Sequence, residues 1–148
     1  MEMHISQEAT GLPLVFLHGG GGTPSSIVFK SSPGTTNPKF LISGTARSFE
    51  NSLIPQLGGK HPILALDFRG QGRSGLGDAP VGDGAAVAFS VELFAEDVVA
   101  VLEKARAEGF PTGPVGLVGF SYGGIVAMQV AMRWLFIPLI LMHDIIFH

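Results

Sequence analysis

The chain contains no cysteine. That excludes disulfides, thiolate metal sites and a cysteine nucleophile. Charge is also scarce: Asp, Glu, Lys and Arg make up 14% of 148 residues, against about 25% in ordinary globular domains. Lys and Arg number 9, Asp and Glu 12, and no basic block occurs. The mildly acidic balance argues against nucleic acid and anionic membrane as partners. Long apolar runs are missing too. The longest, Leu135 to Met142, is far short of the about 20 residues a bilayer span needs. Residues 1–9 are polar and lack a signal core. With no cysteine and no signal segment, the expectation is a cytoplasmic protein.

What is present is apolar residues, 46% of the chain, and glycine, 21 residues. Pro13 to Leu17, Pro62 to Asp67 and Val115 to Val118 are short apolar runs, each followed by a glycine-containing turn. They predict buried strands. Ser90 to Ala107 predicts a helix, with Val91, Phe94, Val98, Val101, Leu102 and Ala105 on one face. Ser90 is placed to cap it, Glu92 suits its first turn, Lys104 and Arg106 suit its last, and Gly109 with Pro111 ends it. Phe49 to Leu57 predicts a short helix and Ile125 to Trp134 another. Strands alternating with helices predict an α/β fold: a mostly parallel sheet flanked by helices.

Three blocks carry chemistry. Gly119-Phe120-Ser121-Tyr122-Gly123 fits G-x-S-x-G between a predicted strand and a predicted helix. A serine on such a tight turn is pushed out of the sheet, and the small residues two before and two after let the backbones approach. The helix N-terminus that follows presents unpaired N–H groups to an oxyanion formed there. His18-Gly19-Gly20-Gly21-Gly22 follows the first strand, and its N–H groups can supply a second donor. It is not a P-loop, since Thr23-Pro24-Ser25 stands where Gly-Lys-Ser/Thr would be needed. Gly70-Gln71-Gly72-Arg73-Ser74-Gly75 fits G-x-G-x-x-G. A dinucleotide site needs a helix to begin there, and Gly77 and Pro80 oppose one. No cofactor and no metal are expected.

Together, Leu14-Val15-Phe16-Leu17-His18-Gly19-Gly20, Leu66-Asp67-Phe68-Arg69-Gly70-Gln71-Gly72-Arg73-Ser74 and Gly119-Phe120-Ser121-Tyr122-Gly123-Gly124 resemble the α/β-hydrolase superfamily, in its serine esterase and enol-lactonase branch, over residues 3–134. The resemblance implies Ser121 as nucleophile and the N–H groups of Gly20 and Tyr122 as oxyanion hole. Gly119 and Gly123 would shape the elbow, His18 and Gly19 the glycine turn, and Asp67-Phe68-Arg69-Gly70 a structural turn. The implied reaction is acyl transfer to water from an ester, thioester or lactone of small size.

The resemblance covers only the N-terminal half of such a domain. In the superfamily the acid and histidine follow the serine, and each further βα unit takes about thirty residues. The chain runs only to His148, so the fold is expected to be truncated after the elbow helix, the triad incomplete and the chain inactive. His143, Asp144 and His148 stand in a triad-like order but would need the tail to fold back over the strand ends. They lack a helical H-E-x-x-H pattern for a metal. His4 falls in a predicted N-terminal hairpin, and His61 at the opposite end of the sheet.

Residues 23–44 predict a loop extraneous to the family, because removing them joins HGGGG to TARSFENSLIPQL at family spacing. Residues 135–148 predict a non-family apolar tail. Both are expected to be translated intervening sequence, and a mature transcript carrying both would contradict this. The competing reading is a non-catalytic binding or regulatory half-fold that self-associates through an exposed sheet edge.

Overall fold

The computed structural model describes residues 9–20, 45–57, 59–75, 90–134 and 139–143. The predicted N-terminal hairpin with His4, the loop at 23–44, the loop at 77–84, and Asp144 and His148 lie outside the described residues. The elements run β1 (Leu14–Leu17), α1 (Arg47–Asn51), a 3-10 turn (Ile54–Leu57), β2 (Ile63–Leu66), α2 (Val91–Ala107), β3 (Gly116–Phe120), α3 (Tyr122–Arg133) and β4 (Leu139–His143). The strands form one sheet in the order β2-β1-β3-β4, with every neighbouring pair parallel.

The three predicted strands form where the apolar runs stand, within a residue or two. Their alternation sorts side chains onto two faces. Val15, Leu17, Leu64, Leu66 and Leu117 join Phe94, Val98 and Leu102 of α2 and Val126, Ala127 and Val130 of α3 in the larger core. Leu14, Phe16 and Ile63 face the other way and meet Phe49 of α1. The Phe16 and Phe49 rings lie 5.1 Å apart between centroids. With both faces covered, the strands are apolar throughout, as parallel strands must be.

Helix α2 matches its sequence signals. Ser90 Oγ accepts the Leu93 N–H at 3.1 Å, and Gly109 turns the chain at φ 105° after the last turn. Arg69, in the turn after β2, ion-pairs with Asp97 and so ties that turn to α2 (Nε to Oδ2, 2.6 Å).

Three elements differ from expectation. The helix predicted over Phe49–Leu57 is two pieces, because Pro55 withholds the N–H that a continuous helix would give to the Asn51 carbonyl. Helix α3 starts at Tyr122, three residues before the predicted Ile125. The chain also continues one element past α3. Residues 139–143, inside the segment set apart as a tail, pair with β3 from Gly116↔Leu139 to Phe120↔His143.

The topology places a switch point. From β1 the chain crosses to β2 on one side, then returns past β1 to β3 on the other. The strand order therefore reverses between β1 and β3, and open α/β sheets bind ligands outside the carboxyl ends of the strands at such a point. The His18-Gly19-Gly20 turn and Ser121 follow those two ends.

Candidate active site at the carboxyl ends of β1 and β3

Ser121 joins β3 to α3 with φ 50° and ψ −119°. Among the described residues it is the one non-glycine residue with positive φ. An L side chain in that region costs about 1–3 kcal/mol and persists only where the surroundings impose it. The surroundings do so here. A Cβ on Gly119 would lie 2.5 Å from the Gly123 carbonyl oxygen and 2.6 Å from the Gly124 backbone. A Cβ on Gly123 would overlap the carbonyl oxygen of Leu17 and lie 2.5 Å from that of His18. The two flanking glycines thus let α3 start against both its own strand and β1. The Gly124 N–H closes the turn on the Ser121 carbonyl at 2.9 Å.

The β1–β3 register brings the glycine turn to the serine. Leu17 pairs with Gly119, and the same offset carried forward sets Gly19 beside Ser121 and Gly20 beside Tyr122. A Cβ on Gly19 would meet Ser121 Cβ at 3.4 Å, and one on Gly20 would meet Tyr122 Cβ at 3.1 Å. Tyr122 is the first helical residue, so its N–H has no carbonyl within α3. Neither it nor the Gly20 N–H has a backbone acceptor among the described residues. The arrangement offers two N–H groups flanking one hydroxyl.

His18 is fully buried, and both its ring nitrogens are engaged. Nδ1 lies 2.7 Å from the Gly19 carbonyl, and Nε2 accepts the Phe68 N–H at 3.1 Å. Burial holds its pKa below the usual value, although the Gly19 carbonyl and Asp67 pull the other way. The ring packs on Phe68 with centroids 4.7 Å apart, and Phe68 meets Phe94 and Tyr122 in turn.

The Asp67 segment forms a closed turn. Asp67 Oδ1 accepts the Ala46 N–H at 2.6 Å, and Oδ2 accepts the Arg73 N–H at 3.0 Å. Burial pushes this carboxyl up, but the Arg73 and Ala46 amides, the Arg73 guanidinium and His18 outweigh it, and its pKa is lowered. The N–H groups of Gly70, Gln71 and Ser74 go to the Gly75, Phe68 and Gln71 carbonyls. Those amides of the G-x-G-x-x-G segment are consumed within the turn.

No side chain among the described residues hydrogen-bonds the Ser121 hydroxyl. His61 lies at the far end of β2, with Nδ1 2.9 Å from the Leu12 carbonyl. His143 ends β4 in register with Phe120, one residue before the serine. The sequence named the serine, the glycines and His18. It did not name Phe68 as the contact joining the glycine turn, α2 and the elbow. The signal was only its position next to Asp67. No group of metal-ligating side chains is found among the described residues, and no helix there is long and apolar enough to cross a membrane.

Comparison with known proteins bears on the family and the fold. The model of the Alpha/beta hydrolase family matches residues 14–146. A pimeloyl-[acyl-carrier protein] methyl ester esterase of Neisseria meningitidis serogroup C is 31% identical over 106 residues, covering 70% of this chain. The chain spans 34% of that relative's length. Among solved structures, an N-acyl homoserine lactone degrading enzyme superposes with a TM-score of 0.56 at 24% identity, covering 90% of this chain and 38% of its own. An esterase from Exiguobacterium antarcticum gives 0.55 at 20% identity, with the same coverage of 90% and 38%. These two likenesses establish the fold.

Proposed function

The chain belongs to the alpha/beta hydrolase family, and on that premise we propose that its chemistry is serine-dependent hydrolysis of an ester, thioester or lactone. Ser121 is the nucleophile, and the N–H groups of Gly20 and Tyr122 receive the oxyanion. The observation that carries this reading is the positive φ of Ser121, held between Gly119 and Gly123. A strained serine on a strand-to-helix turn, beside two amides without a backbone acceptor among the described residues, is what acyl transfer needs and what a plain turn does not. The esterase relative, named for a methyl ester, supports a carboxylic ester as substrate class. A cytoplasmic setting is part of the same proposal.

We further infer that this chain turns over feebly. A serine needs a base. His18 cannot act as one, because Nε2 accepts a backbone N–H and Nδ1 serves a carbonyl. An oxyanion hole and binding alone leave about 10³–10⁴-fold over water in a triad enzyme stripped of its triad.

A p-nitrophenyl ester assay tests this. Slow hydrolysis that Ser121→Ala removes and His143→Ala leaves unchanged is expected. Equal rates in wild type and Ser121→Ala would overturn the nucleophile. Loss in His143→Ala would make that histidine a base and overturn the inactivity. Among the described residues β2 and β4 have one neighbour each, and we propose self-association at such an edge. A monodisperse monomer in sedimentation would contradict that.

A further inference from the structure

His18 is the one fully buried imidazole among the described residues, and the chemistry proposed above gives it no task. Its partners define its proton. The Phe68 amide at Nε2 can only donate, and the Gly19 carbonyl at Nδ1 can only accept. The neutral ring therefore carries its proton on Nδ1. Asp67 Oδ1, 4.0 Å from Nε2, would favour the other tautomer, but it is occupied by the Ala46 N–H at 2.6 Å.

The Gly19 carbonyl and the Gly20 N–H belong to one peptide unit. No described peptide bond is cis, and in a planar trans unit the carbonyl and the N–H point in opposite directions. Holding the carbonyl on the His18 ring turns the Gly20 N–H away from His18. Gly20 itself lies against Tyr122 and Gly19 against Ser121. Glycine on both sides of this peptide offers little resistance to a flip, so sequence alone does not fix its direction. A flipped peptide would present a carbonyl oxygen to the oxyanion and repel it.

We propose that His18 is a positioning residue for the oxyanion hole. Its Nδ1–H holds the Gly19 carbonyl and aims the Gly20 N–H at the Ser121 side, while the Phe68 N–H keeps the proton on Nδ1. The inference rests on the reading of Ser121 and Gly20 given above and deepens it.

The test uses the whole chain and two readouts. A long-range ¹H–¹⁵N imidazole spectrum should show His18 protonated at Nδ1. Protonation at Nε2 overturns the proposal whatever Ser121 does. The second readout is the rate of Ser121 labelling by an alkyl fluorophosphonate. His18→Leu should label about 10²-fold more slowly, the scale of losing one oxyanion donor. His18→Asn, whose amide can donate from near the Nδ1 position, should recover most of the rate. If His18→Leu does not fold, His18→Gln replaces it, since its amide extends toward the Nε2 position and leaves Gly19 unheld. Equal rates in these variants and wild type, with Ser121→Ala unlabelled, overturn the positioning role and leave the nucleophile standing. No label on Ser121 in wild type removes the nucleophile reading, and the positioning role with it.

Discussion

The carbonyl oxygen of Leu17 lies where a side chain on Gly123 would begin. That contact joins the end of β1 to the first turn of α3 and sets how closely the glycine turn approaches the serine. Gly123→Ala should destabilise the chain by about 1–3 kcal/mol, the range for overpacking a tight site. Gly113, whose added Cβ would meet nothing within 4 Å, is the control. Urea unfolding should show a lowered midpoint for Gly123→Ala and little change for Gly113→Ala.

Ser121 stores strain in its backbone rather than in its hydroxyl. Removing only the oxygen keeps the Cβ and the unfavourable φ of 50°. Ser121→Gly removes both and should be more stable than Ser121→Ala by about 1 kcal/mol. Glycine is also the better N-cap of the two, so both effects run the same way, and equal thermal stability of the two variants would contradict the strain.

Stability should fall in acid, in two stages. Burial holds His18 below its usual value of 6.5, so the unfolded chain takes up a proton that the folded chain refuses. The contribution is complete above about 6.5 and is lost as the pH falls from there toward the folded value. Asp67 is held below 3.8, chiefly because the Arg73 and Ala46 amides outweigh its burial. Its contribution is present above that value and is lost as the pH drops through the folded one. Denaturation midpoints between pH 8 and 5 should decline in wild type and flatten in His18→Asn.

Two carboxylates meet Arg73, and they should count differently. Asp67 is almost fully buried and accepts two backbone amides, whereas Glu50 makes a more exposed ion pair at 2.9 Å. Asp67→Asn loses an acceptor for a buried donor and should cost about 1–3 kcal/mol. Glu50→Gln should cost about 0–1 kcal/mol. Equal costs measured by urea unfolding would contradict the assignment of Asp67 as the centre of this turn.

The legible parts of the sequence were those set by local chemistry. Val91 to Ala107 has a helical period, a capping serine and a terminating glycine, and α2 follows them. The apolar runs ending at Leu17, Asp67 and Val118 are strands because both faces of each are covered. The start of α3 was illegible, since Tyr122-Gly123-Gly124 is a poor helix former. Gly123 answers to Leu17 and His18, more than a hundred positions away in the chain. The Gly119, Ser121 and Gly123 pattern could be read as a motif, but the partners of His18 could not. Phe68 reaches its ring only once β1 and β2 are paired. Strand β4 was hidden for a similar reason: a short apolar run interrupted by Pro138 has no period of its own, and pairing with β3 makes it a strand.

The central claim is that Ser121 is a nucleophile facing two backbone amides. Peptide mass mapping after prolonged exposure to an alkyl fluorophosphonate tests it most directly. One adduct, on the peptide containing Ser121 and absent from Ser121→Ala, is the expected result. An unmodified Ser121, or equal modification of the Ser121→Ala chain, would contradict it.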